Sequence, residues 1–410
     1  MNICMILKRY FPPDIRVEKE ARSLIRAGHN IYLLSLGKIG MPSRENINGI
    51  NVIRISSPKS FINKAWSFFW FNLFFENIFW EKNLEYIAKQ YKIDIIHVHD
   101  LLLVKSAVII SKKLNIPIIA DLHENFPEGI RAWRKIKIPL KNRLFNSILP
   151  IWRWKIYEKS TLNHVDEIIT VVDESKVHYI NDCKIPSEKI TVLMNVEDLE
   201  EFYNLKIDEN LVTKYKNNFI ISYIGGFGTH RGIDIAIRSM PKVLEEIPNA
   251  KLLLVGRGPK EYKERLNKLC KELKVRNNVE FTGWVDFSLV PSYIALSDVC
   301  LVPHHASGHT NTTIPHKLFQ YMALKKPVLV TNCKPLERVV KEYNCGIVFP
   351  SGDYSEMAKI VVKLFKNSEL AKKFGENGRK AVEEKYNWGN EEKKLCKLYE
   401  KLKTEYKLNS

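Results

Sequence analysis

No two of the chain's seven cysteines are spaced CxxC: Cys4, Cys183, Cys270, Cys300, Cys333, Cys345 and Cys396 stand far apart. That scatter argues against a zinc knuckle or a thioredoxin-type redox site, and fits reduced, mostly buried thiols of a cytoplasmic protein. Long hydrophobic runs are also lacking. The most lipid-like stretch, 65–75 (AWSFFWFNLFF), contains Asn72, stops at Glu76 and is too short to cross a bilayer. The apolar run Met1 to Leu7 is cut off by Lys8, Arg9 and the pair Pro12-Pro13, so it reads as a first β-strand and not as the core of a leader. No short period suggests a repeat array.

Several features are present in quantity. A chain of 410 residues, 45% of them hydrophobic, can fill two cores and suggests two domains. The formal net charge is +18. It reads either as a lysine-rich bias spread over solvated helix faces or as attraction to something anionic: nucleic acid, membrane lipid or a phosphorylated small molecule. No recognised nucleic-acid-binding motif appears, so nucleic acid is not an expected partner.

The N-terminal half alternates short apolar runs with amphipathic stretches. Strands are expected at 2–7, 30–35, 51–55, 93–98, 117–121, 167–172 and 190–193, and helices at 16–27 (closed by Gly28) and 104–114. The polar stretch 195–218 reads as a linker. Alternation then restarts, with strands at 220–224, 251–255, 279–282, 299–302 and 328–331. Helices are expected at 234–247, 262–273, 318–324 and 357–365, with a last one at about 391–406. Such alternation argues for α/β units with parallel sheets covered on both faces. The expected architecture is two Rossmann-like domains facing a central cleft, residues 1–200 completed by the helix 388–410, and residues 201–387. Ligands would bind beyond the carboxyl ends of the strands.

In the second half, ISYIG leads into Gly225-Gly226-Phe227-Gly228-Thr229-His230-Arg231-Gly232 and then a helix. Glycines after a strand let backbone amides approach a phosphate, and the helix start adds a positive field. Arg231 stands at the helix entrance, placed for charge-assisted phosphate contacts. The bland alternative is a tight strand-to-helix turn. A second glycine turn, starting at Gly256, follows KLLLV and would flank the same ligand. The segment 303–330, PHHASGHTNTTIPHKLFQYMALKKPVLV, combines a His/Thr/Asn loop with a helix starting near Pro315. Thr310, Asn311 and Thr312 offer groups for sugar hydroxyls or phosphate oxygens. Lys317, in the first helical turn, opposes the helix dipole, a misfit that a bound diphosphate would explain and that an outward-snorkelling lysine would explain equally.

The segments YIGGFGTHRGIDIAI, LLLVGRGP, FTGWV and PHKLFQYMALKKPVLV, in that order, resemble the donor domain of family 4 retaining glycosyltransferases of the GT-B fold, especially a bacterial subset with PHKLFQYM. FPPDIRVEKEARSLIRAGHNIYLLS, DIIHVHD and ADLHENFPE are similar to the same family, so the resemblance spans nearly the whole chain.

That resemblance implies transfer of a sugar from a UDP- or GDP-linked donor to a glycan or lipid-linked acceptor in cell-surface polysaccharide assembly. It also implies retention of anomeric configuration and no cofactor. Donor binding falls to Gly225, Gly226, Gly228, Arg231, Gly256, Thr310, Asn311, Thr312, Lys317 and Gln320. Gly226 replaces a family arginine, for which Lys317 would compensate. Gln320 takes the place of a glutamate that grips the ribose. A second family glutamate has no counterpart, since 304–313 contains no acid. Acceptor binding falls to Asp14, Arg16, His123 and Glu124, and the catalytic set is His123, Arg231 and Lys317. No Asp-x-Asp pair occurs, so no metal clamp is expected.

Aromatics at 65–75 and Trp80, and Trp133, Trp152 and Trp154 among the bases of 131–159, fit either a filled core or peripheral contact with an anionic membrane at its cytoplasmic face. The missing glutamate leaves open a non-catalytic nucleotide-sugar binding protein. A nucleotide-sugar epimerase on the same fold is a further alternative.

Overall fold

The computed structural model describes residues 1–56, 69–133 and 150–408. Residues 65–68 of the aromatic stretch and 134–149 of the basic stretch lie outside the described residues. The chain forms two units, Met1–Met194 with Glu391–Ser410, and Asn195–Asn390.

The first unit is built on eight strands: β1 (Asn2–Tyr10), β2 (Asn30–Leu36), β3 (Arg44–Ile47), β4 (Ile50–Ile55), β5 (Ile95–His99), β6 (Ile118–Leu122), β7 (Glu167–Thr170) and β8 (Ile190–Val192). Their order is β3-β4-β2-β1-β5-β6-β7-β8. Ile3 to Leu7 of β1 and all of β5 and β6 are buried, as expected for strands covered on both faces. The last helix, Trp388–Glu405, returns to this unit from Glu391 onward.

The second unit has six parallel strands: β9 (Phe219–Ile224), β10 (Ala250–Val255), β11 (Val279–Gly283), β12 (Val299–Val302), β13 (Val328–Thr331) and β14 (Gly346–Phe349), in the order β11-β10-β9-β12-β13-β14. The order reverses at β9, whose neighbours are β10 and β12. In open α/β sheets this is where the loops at the carboxyl ends splay apart and leave room for a ligand.

Two expectations need correction. The first sheet is not wholly parallel: β3 pairs antiparallel to β4 through Asn48-Gly49, both at positive φ (52° and 87°), the backbone that a two-residue hairpin of right-handed twist requires. The stretch 195–218 is not a plain linker. It contains helices Leu199–Tyr203 and Glu209–Lys214, capped by Asp198 and Asp208, with Phe202 and Tyr215 buried. The helix expected near Pro315, over 318–324, is present as Lys317–Ala323. Among the described residues, no helix is long and apolar enough to cross a membrane.

Candidate functional site

In the second unit the turns after β9 and β10 are built against each other. Gly225 N–H donates to Val255 O at 2.8 Å, and Phe227 N–H to Arg257 O at 2.8 Å. Gly256 holds φ +136°, and a Cβ there would stand 2.1 Å from Gly225 O, so only glycine permits this approach. Gly225 (φ +133°) faces Lys317: a Cβ on it would lie 2.6 Å from Nζ. Tyr223 closes the turn from below, donating its hydroxyl to Gly226 O at 2.7 Å.

Lys317 is only 8% exposed, and its Nζ has no hydrogen-bond partner among the described residues. Nζ lies 3.4 Å from the centroid of the Tyr223 ring, so a cation–π contact is its main electrostatic compensation. Burial, and then the neighbouring Arg231, push its pKa well below the usual lysine value. Arg231 sits in a single 3-10 turn, Thr229–Arg231, before the helix Ile233–Glu246. Its Nη1 approaches His304 Nε2 at 3.4 Å. Burial and the charge of Arg231 drive His230 down to about 3 and His304 well below the ordinary histidine value, so both rings stay neutral. Among the described residues no carboxylate pairs with either cation. A buried ammonium without a counter-charge costs several kcal/mol, about the price a bound anion would remove.

The rest of the loop serves itself. Thr310 Oγ1 donates to His305 O at 2.7 Å, Thr312 Oγ1 donates to Gly308 O at 2.8 Å, and Asn311 Oδ1 accepts Lys334 N–H at 3.0 Å. These three groups hold the loop's shape. Gln320, buried one turn beyond Lys317, donates Nε2 to Glu197 Oε2 at 2.7 Å, and His316 Nε2 lies 3.2 Å from the same oxygen. Glu197 and His316 were not singled out from the sequence. Glu197 falls in the polar stretch, where the only available signal was an acid beside the helix-capping Asp198.

In the first unit the polar groups meet at Asp121, at the end of β6. Arg16 Nη2 donates to Asp121 Oδ1 at 2.9 Å, and Arg16 Nε donates to Glu20 Oε1 at 2.8 Å. His99 Nδ1 and His123 Nε2 lie 3.0 and 2.9 Å from Asp121 Oδ2. His97 Nδ1 stands 2.7 Å from the Tyr399 hydroxyl. Burial alone would raise the Asp121 pKa, but Arg16 and His123 hold it well below the carboxylate range. Burial alone would lower that of His123, but Asp121 lifts it to about 9. His97 is pushed down by burial and by His99.

Arg16 lies in the first turn of the helix Ile15–Arg26, buried and paired. Asp14 caps that helix by accepting Val17 N–H at 3.2 Å. Glu124 is half-buried next to His123. Asp121 went unmarked although it lies two residues before His123.

Among the described residues two groups have metal-ligand spacing, Glu20 with His97, His99 and Asp121, and Glu158 with His178 and Cys183. In the first, Arg16 bonds both carboxylates. In the second, His178 bridges Glu158 at 3.2 Å and Asp182 at 2.7 Å. Each set already has a cationic partner of its own.

Comparison with known proteins supplies the context. Residues 15–201 match the model for Glycosyltransferase Family 4, and residues 206–381 that for Glycosyl transferases group 1. An uncharacterized glycosyltransferase of Methanocaldococcus jannaschii is 27% identical, covering 97% of this chain and 98% of its own. The N-acetyl-alpha-D-glucosaminyl L-malate synthase of Bacillus anthracis is 23% identical over 85% of this chain and 93% of its own. Among solved structures, sucrose-phosphate synthase from Thermosynechococcus elongatus superposes with a TM-score of 0.79 at 18% identity, covering 98% of both chains. Anabaena HepE in complex with UDP-glucose superposes with a TM-score of 0.74 at 14% identity, covering 98% of this chain and 100% of its own.

Proposed function

For a chain that is a glycosyltransferase of the GT-B fold, similar to family 4, we propose that it moves a sugar from a UDP- or GDP-linked donor, held by the C-terminal unit, to a glycan or lipid-linked acceptor met by the N-terminal unit. Its being a transferase sets aside the binding-only and epimerase alternatives. The observation that carries the donor reading is the pair Arg231 and Lys317, two cations without a carboxylate among the described residues, beside a turn that only glycines can form. As the glycosidic bond breaks, positive charge develops at the anomeric carbon and negative charge on the leaving diphosphate. Arg231, Lys317 and the amides of Gly226 and Gly228 stabilise the latter without reorganising. This is a metal-independent way of making the diphosphate a better leaving group. His123, held cationic by Asp121, offers a donor for a hydroxyl or oxygen of the reacting sugars. Retention of configuration is proposed on the family resemblance.

A cell-surface polysaccharide role is supported by a Staphylococcus aureus relative named as a capsular polysaccharide biosynthesis glycosyltransferase, 25% identical over 56% of this chain and 60% of its own. An exposed face of the first unit supports peripheral docking on an anionic bilayer at the cytoplasmic side. Leu73, Phe74, Trp152 and Ile156 are exposed there. Arg153, on the same helix as Trp152, donates to Leu73 O at 2.9 Å and so joins the two segments.

The test is a thermal-shift titration with UDP, GDP, CDP and ADP on wild type and Arg231→Ala. A ligand that binds only the folded state raises Tm by mass action. Stabilisation of the wild type by one diphosphate and its loss in the variant are expected; no stabilisation by any of the four would sink the donor reading.

A further inference from the structure

The amide of Gln320 is oriented by its neighbour. Glu197 and Gln320 are only 4% and 5% exposed, and Nε2 of Gln320 lies 2.7 Å from Glu197 Oε2. A carboxylate has only acceptor sites to offer, so the amide must present its N–H here and turn its carbonyl oxygen the other way. That oxygen has no protein partner among the described residues, yet it is absent from the sealed, unsatisfied polar atoms and so remains reachable. Glu197 is itself anchored. Its backbone carbonyl accepts Trp388 N–H at 2.9 Å, and its Oε1 accepts Asp198 N–H at 3.2 Å. Gln320 follows Lys317 by one helical turn on the same face of the helix, and Lys317 in turn touches the glycine turn at Gly225.

We infer that Glu197 is a positioning residue that locks the Gln320 amide with its carbonyl oxygen outward, as the acceptor for a ribose hydroxyl of the bound nucleotide. The inference rests on the donor-site reading proposed above. A glutamate at 320 would set two carboxylates against each other at hydrogen-bond distance in a buried place, where like charges cannot both stay ionised. The glutamine at 320 and the glutamate at 197 therefore form one unit: the second carboxylate supplies the orientation, and the amide supplies the acceptor.

The experiment is calorimetric titration of the full chain with the nucleoside diphosphate that binds it and with that ligand's 2′-deoxy and 3′-deoxy analogues. The proteins are wild type, Gln320→Glu, Glu197→Gln and the exchange Glu197→Gln with Gln320→Glu. Wild type should prefer the ribonucleotide over one deoxy analogue by about tenfold, the worth of one hydrogen bond to a hydroxyl. Gln320→Glu should lose about tenfold or more in affinity. Glu197→Gln should keep the fold but lose the preference for the ribose, because an amide no longer dictates which way Gln320 points. The exchange should recover both affinity and preference, since Gln at 197 donates to Glu at 320. A structural role alone would not move the ribose preference. Gln320→Glu binding as wild type does, or Glu197→Gln keeping the full preference, would overturn the inference while leaving the donor site intact. A wild type that binds no diphosphate would overturn the donor reading itself, and the inference with it. If Gln320→Glu does not fold, the preference measured in Glu197→Gln decides alone.

Discussion

Both units gather charge at the carboxyl ends of their strands, but they balance it in opposite ways. Around Asp121 every strong charge has a partner: Arg16 spans Asp121 and Glu20, and His123 leans on Asp121. Beside Gly225 the charges have none, since Lys317 is buried over a tyrosine ring and Arg231 is flanked by histidines kept neutral. A closed network spends its electrostatics on holding shape and on setting one pKa, that of His123. An open pair holds its electrostatics in reserve for whatever arrives. The difference teaches where to look for the ligand, and it makes opposite predictions for mutations of similar chemistry.

The largest effect separates the two on stability. Asp121→Asn leaves the buried Arg16 guanidinium with Glu20 as its one carboxylate and takes the anionic partner from His123, and breaking such a buried pair costs about 3–5 kcal/mol. Urea unfolding should show that loss, while diphosphate affinity of a still-folded sample stays within a few-fold of wild type. Lys317→Met should do the reverse. It removes an uncompensated buried charge, so the ligand-free Tm should hold or rise, while diphosphate affinity falls by ~10–100-fold, the worth of a charge-assisted contact. A Lys317→Met protein that is destabilised but binds normally would make Lys317 structural and end the contrast.

The pH dependences should also differ in sign. His123 is raised to about 9 in the folded protein. Its contribution is therefore fully present below the unfolded value of about 6.5 and lost as pH rises through the folded value. Stability should thus fall between those limits, and His123→Gln should flatten that fall. Lys317 is lowered instead, so over the window below the ordinary lysine value of 10.5 the unfolded chain holds more protons than the folded one, and its contribution makes stability rise with pH. A diphosphate bound beside the ammonium should lift its pKa back towards the ordinary lysine value, so diphosphate affinity should fall as pH rises through the value of the ligand-free protein. A Lys317→Met protein whose diphosphate affinity falls with pH just as the wild type's does would contradict this assignment.

The contrast was only half legible in the sequence. The alternation of apolar runs announced both sheets, because buried parallel strands need unbroken runs of Ile, Val and Leu. The glycine turn with Arg231 also stood out, because it joins a strand to a helix within one short segment. The hairpin at Asn48-Gly49 was missed, because β3 (RENI) is polar and four residues long, too short to show a period. The two short helices after Met194 escaped for the same reason. Lys317 could be marked as a misfit at a helix start, but whether a lysine snorkels outward or is buried over Tyr223 is decided by β9, nearly a hundred residues away. Likewise Asp121 and Glu197 matter through partners distant in sequence, Arg16 and Gln320, and no local pattern reports such pairs.

The smallest predicted effect concerns surface rather than site. If the first unit docks on anionic lipid, Trp152 and Ile156, exposed by 61% and 59%, are the residues that enter the interface. Trp152→Ser with Ile156→Ser should lower partitioning onto phosphatidylserine-containing vesicles by ~5–10-fold, since each side chain forfeits only part of its roughly 1.5–3 kcal/mol of burial at a headgroup boundary. Diphosphate binding by the second unit should be untouched, because the substitutions lie in the other unit. Added salt should weaken wild-type flotation, since cations such as Lys155 and Lys159, on the same helix, act through a screened field. Flotation insensitive both to salt and to the double substitution would mean that this apolar face meets something other than lipid.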